Sequence, residues 1–338
     1  MSHEDVLLEV NHLHTGFKIN DAFYDAVDDV SLKLHRNEKL AIVGESGCGK
    51  STLATSIIGL HNRNQTKQTG EVLYKGDNLL DYSEEDYLKI RGKEMSMIFQ
   101  DPLASLNPLM TIFDQIEESL YYHTDMDKKA RKARVMELLD QVGIQDPNLT
   151  AKQYPHELSG GMRQRVIIAI ALAAKPEIII ADEPTTALDV TIQAQILDLL
   201  NEIQEESKAG IILITHDLGV VAETADRVAV MYAGQFVEVA DVYSLFNNPR
   251  HPYTRSLLKS IPQSNEMVDD ETGELHVIQG TVPNIVNLPR TGCRFAHRVP
   301  WLPEDAHEEN PTMHEVEPGH WVRCTCHESF YFPDEEGH

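Results

Sequence analysis

The sequence predicts an α/β fold with a mostly parallel central sheet, and three observations carry that prediction. Short, wholly apolar runs recur along the chain, helical patterns lie between them, and two of the runs end on residues suited to phosphate and metal chemistry. The runs are KLAIVG (39–44), EMSMIF (94–99), EIIIAD (177–182), GIILIT (210–215) and RVAVMY (227–232). A strand inside a parallel sheet is covered on both faces, so it reads as a continuous apolar run rather than an alternating one. Helical patterning falls at STLATSIIGL (51–60) and at about 128–142, 161–174 and 191–207. The first ~35 residues and 71–80 read as shorter antiparallel strands. After NNPRHPYT (247–254) prolines and histidines accumulate and long helices stop. The expected division is therefore 1–250 and an appended, irregular region, 251–338.

Length and composition narrow the class. The chain has 338 residues, 41% of them hydrophobic, enough for a large soluble core. No apolar run approaches the ~18–20 residues that span a bilayer. The longest is Val166–Ala174, and the start, MSHEDVLLEV, has neither the basic end nor the apolar core of a secretory signal. Four cysteines at this length do not make a disulfide framework and fit a reducing cytosol. The net charge of −25, from 54 acids against 29 bases, repels nucleic acid and anionic lipid. Membrane association is then expected through a protein partner; the alternative reading is that the acidity serves only solubility.

Three motifs carry chemistry. GESGCGKS (44–51) fits G-x-x-x-x-G-K-S, directly after a strand and before a helix, the context that motif requires. Beyond Gly44, the backbone N–H groups of Ser46, Gly47, Cys48, Gly49 and Lys50 would wrap phosphates, with Thr52 next to the loop. Lys50 would reach the β- and γ-phosphates, and Ser51 would ligate Mg²⁺. In IIIADE (178–183), Asp182 ends a strand, where it can hold Mg²⁺ through water, and Glu183 beside it can polarise a water for attack on a γ-phosphate. LSGGMRQR (158–165) places Ser159 and two glycines at a helix start. That arrangement offers backbone N–H groups without a Cβ in the way. No Lys-Ser follows it, so this second loop needs a phosphate other than the one held by the first.

Together, Lys50, Gln100, LSGG, ADE (181–183), ALD (187–189) and His216 resemble the nucleotide-binding subunit of an ATP-binding-cassette protein. The resemblance implies a parallel core sheet, an antiparallel β subdomain and a helical subdomain at about 100–175. It also implies head-to-tail dimers, in which Ser159, Gly160 and Gly161 hold the γ-phosphate bound on the partner chain. Gln100, in MIFQDP, resembles the loop glutamine that touches Mg²⁺ where a membrane subunit docks. His216, in LITHDL, resembles the switch histidine on the γ-phosphate, and Asp189 the acid of the dimer loop. Phe17, or else Tyr24, would stack on adenine. DNA-repair members separate the two Walker motifs with a long coiled coil, and translation members carry two cassettes. Here Lys50 and Asp182 are 132 residues apart, without a heptad run, in a single cassette. A non-catalytic partner subunit would have a degenerate site, and none of these motifs is degenerate.

MIFQDPLASLNPLMTI (97–112), HDLGVVAETADRVAVMYAGQFVE (216–238) and NNPRHPYTRSLLKSIP (247–262) narrow the resemblance to the ATPase subunits of oligopeptide, dipeptide and nickel importers. That implies an ATP-hydrolysing subunit, peripheral on the cytoplasmic face of the cell membrane. Its partners would be a sister ATPase, two permeases and an extracellular substrate-binding lipoprotein, with no nucleic acid. The expected cargo is a peptide, with nickel or another small solute as the alternative.

Many such relatives end in four cysteines that can hold an iron–sulfur cluster. Here Cys293 and Cys324 are kept, whereas Val299 and Ala306 stand at the second and third positions, and Cys326 is added. Two of four thiolates cannot hold a cluster in the usual way. The expected state is a metal-free remnant packed by Phe295, Trp301 and Trp321. The competing expectation is zinc held by Cys293, His297, Cys324 and either Cys326 or His327.

Overall fold

The computed structural model describes residues 6–186, 188–260 and 280–332. Ala187 of the ALD stretch, and residues 261 and 262 of the 247–262 stretch, lie outside the described residues. In chain order the strands are β1 (Val6–Ile19), β2 (Ala22–His35), β3 (Lys39–Val43), β4 (Thr66–Tyr74), β5 (Asp77–Asn78), β6 (Met95–Ile98), β7 (Ile178–Asp182), β8 (Gly210–Ile214), β9 (Arg227–Tyr232), β10 (Gln235–Asp241), β11 (Met313–Glu317) and β12 (His320–Arg323).

They form two sheets. The smaller has the order β2-β1-β4-β5 and is antiparallel. The larger has the order β11-β12-β10-β9-β3-β8-β7-β6. Its five apolar runs, β9-β3-β8-β7-β6, pair in parallel, and β10, β12 and β11 continue it antiparallel. All residues of β3, β6, β7 and β8 are buried. Successive side chains go to opposite faces, as a pleated strand dictates. Ile178, Ile180, Ile212 and Ile214 pack toward the antiparallel sheet. Ile179, Ala181, Ile211 and Leu213 pack toward the helices Gly160–Leu172 and Val190–Ser207. Each Ile or Leu so buried contributes roughly 1.5–3 kcal/mol.

The helical layer between β6 and β7 contains Ile112–His123, capped by the Thr111 hydroxyl, and Lys128–Gln141, capped by the Asp127 carboxylate. Among the described residues no helix is long and apolar enough to cross a membrane.

Within the region expected to be irregular, the β11–β12 hairpin joins the core sheet, with Glu238 opposite Val322. The join depends on one carboxylate. Glu238, on β10, is fully buried. It accepts hydrogen bonds from the backbone N–H groups of Arg250 (2.7 Å) and His251 (2.9 Å) and pairs with His320 Nε2 at 2.7 Å. It thus ties the core sheet to the segment that leaves it and to the hairpin that returns. Removing it strands two buried polar groups and one half-buried amide, so Glu238→Ala should cost about 3 kcal/mol. A thermal melt checks this, with limited proteolysis expected to open the chain first around 313–323; an unchanged melt contradicts it.

Candidate nucleotide site

The site lies at the C-terminal ends of the parallel strands, where ligands of open α/β sheets bind. β3 runs into residues 44–49, and Lys50–Ile57 follows as a helix. Gly49, at the helix N-cap, has φ +108°, and a Cβ there would sit 2.5 Å from the carbonyl oxygen of Ala26. At Gly44 a Cβ would lie 2.1 Å from the carbonyl oxygen of Met231 on β9. Only glycine allows the loop to turn against its neighbours at these two positions. Lys50 is buried, and its Nζ donates to the carbonyl oxygens of Gly44 (2.8 Å) and Glu45 (3.0 Å). The loop residues Ser46, Gly47, Cys48, Gly49, Lys50, Ser51 and Thr52 line a cavity of about 570 Å³ together with Phe17, Gln100, Glu183 and His216.

Four adjacent strands converge on the acids. Asp182 ends β7; it is buried, and its Oδ1 has no hydrogen-bond partner among the described residues. Burial raises its carboxyl above the usual carboxylate range, the neighbouring Glu183 charge adds to this, and a hydrogen bond with Ser51 opposes it. An orphaned buried carboxylate oxygen beside the Ser51 hydroxyl fits a hard divalent cation such as Mg²⁺. Glu183 has the uncommon φ of +47°. Its Oε2 accepts from Gln100 Nε2 (2.9 Å) and from the Thr186 hydroxyl (2.8 Å) and lies 3.5 Å from His216 Nδ1. Gln100, Glu183 and His216, predicted from three separate motifs, therefore meet at one carboxylate.

The second loop is elsewhere. Ser159 caps the helix Gly160–Leu172, its Oγ accepting from the Met162 N–H at 3.3 Å. Ser159 and Gly160 are exposed, and neither they nor Gly161 line the cavity around Lys50. Asp189 is exposed too, and caps Val190–Ser207 by accepting from the Ile192 N–H at 3.0 Å. Of the two aromatic candidates, Phe17 lines the cavity, its ring edge-on to His61 at 5.3 Å. Tyr24 pairs with Phe17 across β1 and β2 and sits under the Arg290 guanidinium instead.

Sequence reasoning missed a second set of cavity residues. Val282, Pro283, Ile285 and Leu288, from beyond residue 250, form part of the cavity wall. Tyr253 Oη accepts from the Glu45 N–H at 2.8 Å, and Arg298 pairs with the Glu45 carboxylate at 2.6 Å. Arg298 is almost fully buried, and Arg294 Nη1 donates to the carbonyl oxygen of Ala233 at 2.5 Å. The phosphate loop is thus held from behind by the appended region. These partners are 208 and 253 residues from Glu45, and no local pattern announces them.

The cysteine region needs a correction. Cys293, Cys324 and Cys326 do converge, but the histidine among them is His307, the four ligand atoms lying within 4.8 Å of one another. His297 does not belong to the group: it sits exposed on the turn Ala296–Arg298. His327 is outside it as well, its Nδ1 on the carbonyl oxygen of Cys324 at 3.0 Å. The missed signal was adjacency, because His307 immediately follows Ala306.

Known proteins resemble this chain over most of its length. Residues 27–186 match the ABC transporter family, and residues 237–301 match the family described as the oligopeptide/dipeptide transporter C-terminal region. The chain is 52% identical over 331 residues to the oligopeptide transport ATP-binding protein OppD of Lactococcus lactis subsp. cremoris, covering 98% of this chain and 97% of that one. It is 48% identical over 322 residues to the dipeptide transport ATP-binding protein DppD of Bacillus subtilis, covering 95% and 92%. Among solved structures, a dimeric ATP-binding cassette in a post-hydrolysis state with ADP and Pi is 30% identical, with a TM-score of 0.63, over 70% of this chain and 99% of that one. A Lys50 loop, an Asp182–Glu183 pair and a detached Ser159 loop on this sheet, with near-complete relatives, lead to one conclusion: the chain belongs to the ATP-binding-cassette transporter family and is an ATPase of the branch that carries the oligopeptide/dipeptide transporter C-terminal region.

Proposed function

We propose that this chain is the energy-coupling subunit of an importer of oligopeptides or dipeptides, working as a head-to-tail pair with a sister ATPase. Residues 1–250 would be its nucleotide-binding domain and 251–338 its peptide-importer-type extension. The pair would sit peripherally on the cytoplasmic face of the membrane, under two permeases served by an extracellular substrate-binding lipoprotein. The observation that carries the pairing is the separation of the two phosphate loops. A solvent-facing helix N-terminus at Ser159, away from the Lys50 cavity, suits a phosphate brought by another chain. The peptide cargo is supported by the named transport roles of the Lactococcus and Bacillus relatives.

In this reading ATP lies with its phosphates in the 44–51 loop and its adenine against Phe17. Lys50 exchanges its two backbone acceptors for the β- and γ-phosphate oxygens. Ser51, Asp182 and Gln100 would hold Mg²⁺, which offsets the charge that builds on those oxygens. Glu183 orients a water in line with the γ-phosphorus; the water oxygen bonds to phosphorus as the bond to ADP breaks. His216, beside Glu183, contacts the γ-phosphate. Ser159, Gly160 and Gly161 complete the site of the opposite chain, and Asp189 lies at the dimer seam. Binding energy spent on positioning supplies most of the acceleration.

A groove beside Gln100 suits the permease contact. It is about 820 Å³ and runs from the end of β6 to the helix Ile112–His123, with Phe99, Ala104, Ser105 and Tyr122 on its walls. Tyr122 is 71% exposed, and the adjacent Leu103 59%. Large apolar side chains left this open mark contact surfaces.

Three results would test the reading. Glu183→Gln should lower the hydrolysis rate by about 10²-fold or more while trapping an ATP-bound pair visible by size-exclusion chromatography; hydrolysis at the wild-type rate rejects the role of Glu183. Tyr122→Glu should abolish co-purification with permeases and leave ATP affinity unchanged, and an intact complex rejects the docking groove. The chain, tagged at its N-terminus and drawn from gently solubilised native membranes, should bring two permeases, a sister ATPase and a peptide-binding lipoprotein. Recovery without any membrane partner overturns the importer.

A further inference from the structure

The appended region was expected to be metal-free or to use His297, and its geometry points elsewhere. An iron–sulfur cluster does not fit this chain. Val299, at one of the two missing cysteine positions, is 1% exposed and packed with Phe295 and Leu302 in the core. A four-iron cluster also binds each thiolate through a different iron, which spreads its ligands farther apart than a single ion does. Here three sulfurs and one imidazole nitrogen all lie within 4.8 Å of one another. Ligands of one tetrahedral zinc, each about 2.0–2.3 Å from the ion, stand roughly 3.5–4 Å apart. The 4.8 Å upper limit on the observed spacing lies close to that range.

The second observation concerns His307. Both of its ring nitrogens are buried, and neither has a hydrogen-bond partner among the described residues. Leaving a buried polar group unsatisfied costs about 1–3 kcal/mol, and an imidazole with neither nitrogen satisfied is rare. Cys324 and Cys326 are also buried, at 1% and 0% exposure, and the three sulfurs belong to free cysteines. Three soft thiol ligands and a nitrogen, two of them on fully buried and two on half-buried residues, are the donor set of a structural zinc.

We propose that Cys293, His307, Cys324 and Cys326 form a structural zinc site, with His307 and Cys326 taking over from the two positions lost to Ala306 and Val299. The ion would join three segments: the turn that begins at Cys293, the turn ending at His307, and the end of β12. The first of these carries Arg294, which holds the carbonyl oxygen of Ala233 on the cavity wall, and Arg298, which pairs with Glu45 of the loop. The site stands independently of the importer reading, because its residues take no part in hydrolysis or docking.

The test uses the full chain, purified through a tag without histidines, because a polyhistidine tag binds zinc itself. Metal analysis should give about one zinc per chain and iron below about 0.2 per chain. Exchange with Co²⁺ should give the visible bands of a tetrahedral site together with sulfur-to-metal charge transfer. His307→Ala and Cys326→Ser should lose the metal, while His297→Ala and His327→Ala keep it. If the first two variants fail to fold, the metal content and cobalt spectrum of the unaltered chain still decide. Zinc below about 0.2 per chain, iron accompanied by inorganic sulfide, a disulfide among the three cysteines, or loss of metal in His297→Ala with retention in His307→Ala would each overturn the site.

Discussion

The register of four parallel strands is the constraint on which the nucleotide site depends. Ile42 lies opposite Ile214, Asp182 opposite Ile214, and Ile98 opposite Ala181. The residues just beyond these pairs are the candidate phosphate loop, Glu183, His216 and Gln100, so one transverse line through the sheet sets the level of all of them. A slip of one residue would turn each strand over and exchange its two buried faces. The isoleucines on both faces oppose that slip, because one set fits the antiparallel sheet and the other the helices. Hydrophobic packing thereby fixes the position of a carboxylate to within a hydrogen bond.

The chain divides its polar resources unevenly. Glu183 is held by neighbours from two other strand ends and by Thr186, whereas Asp182 keeps one buried oxygen unpartnered among the described residues. The first arrangement orients a carboxylate. The second leaves a lone pair available in a dry place, where an ion gains most. Ser159 and Asp189, by contrast, cap helices at the surface and need only local bonds to hold their shape.

Much of this was legible in the sequence, and the limits are physical. Buried parallel strands announce themselves as apolar runs, and five such runs became β3, β6, β7, β8 and β9. The phosphate loop, Asp182 and Glu183 were legible because local sequence dictates a strand–turn–helix. The helix Ile112–His123 went unpredicted, although Ile112, Ile116 and Leu120 have helical spacing and Thr111 with Asp114 forms a start signal. Contacts across long sequence separations were invisible. Nothing near Cys326 indicates that its histidine neighbour is His307 rather than His327. Nothing near Glu45 foretells Arg298, and nothing in the apolar alternation of β10 foretells that Glu238 will be buried for the sake of His320 and two backbone amides. Such partners are chosen by the folded surface and not by periodicity.

Glu45 belongs to two structures at once. Its backbone sits in the candidate phosphate loop, and its amide and carboxylate are gripped by Tyr253 and Arg298 from the appended region. Thermodynamic coupling through such a shared residue is reciprocal. Whatever free energy the appended region contributes to shaping the loop for a nucleotide, the bound nucleotide returns as added order in the appended region. The far end of the chain would then carry a record of whether this subunit is loaded.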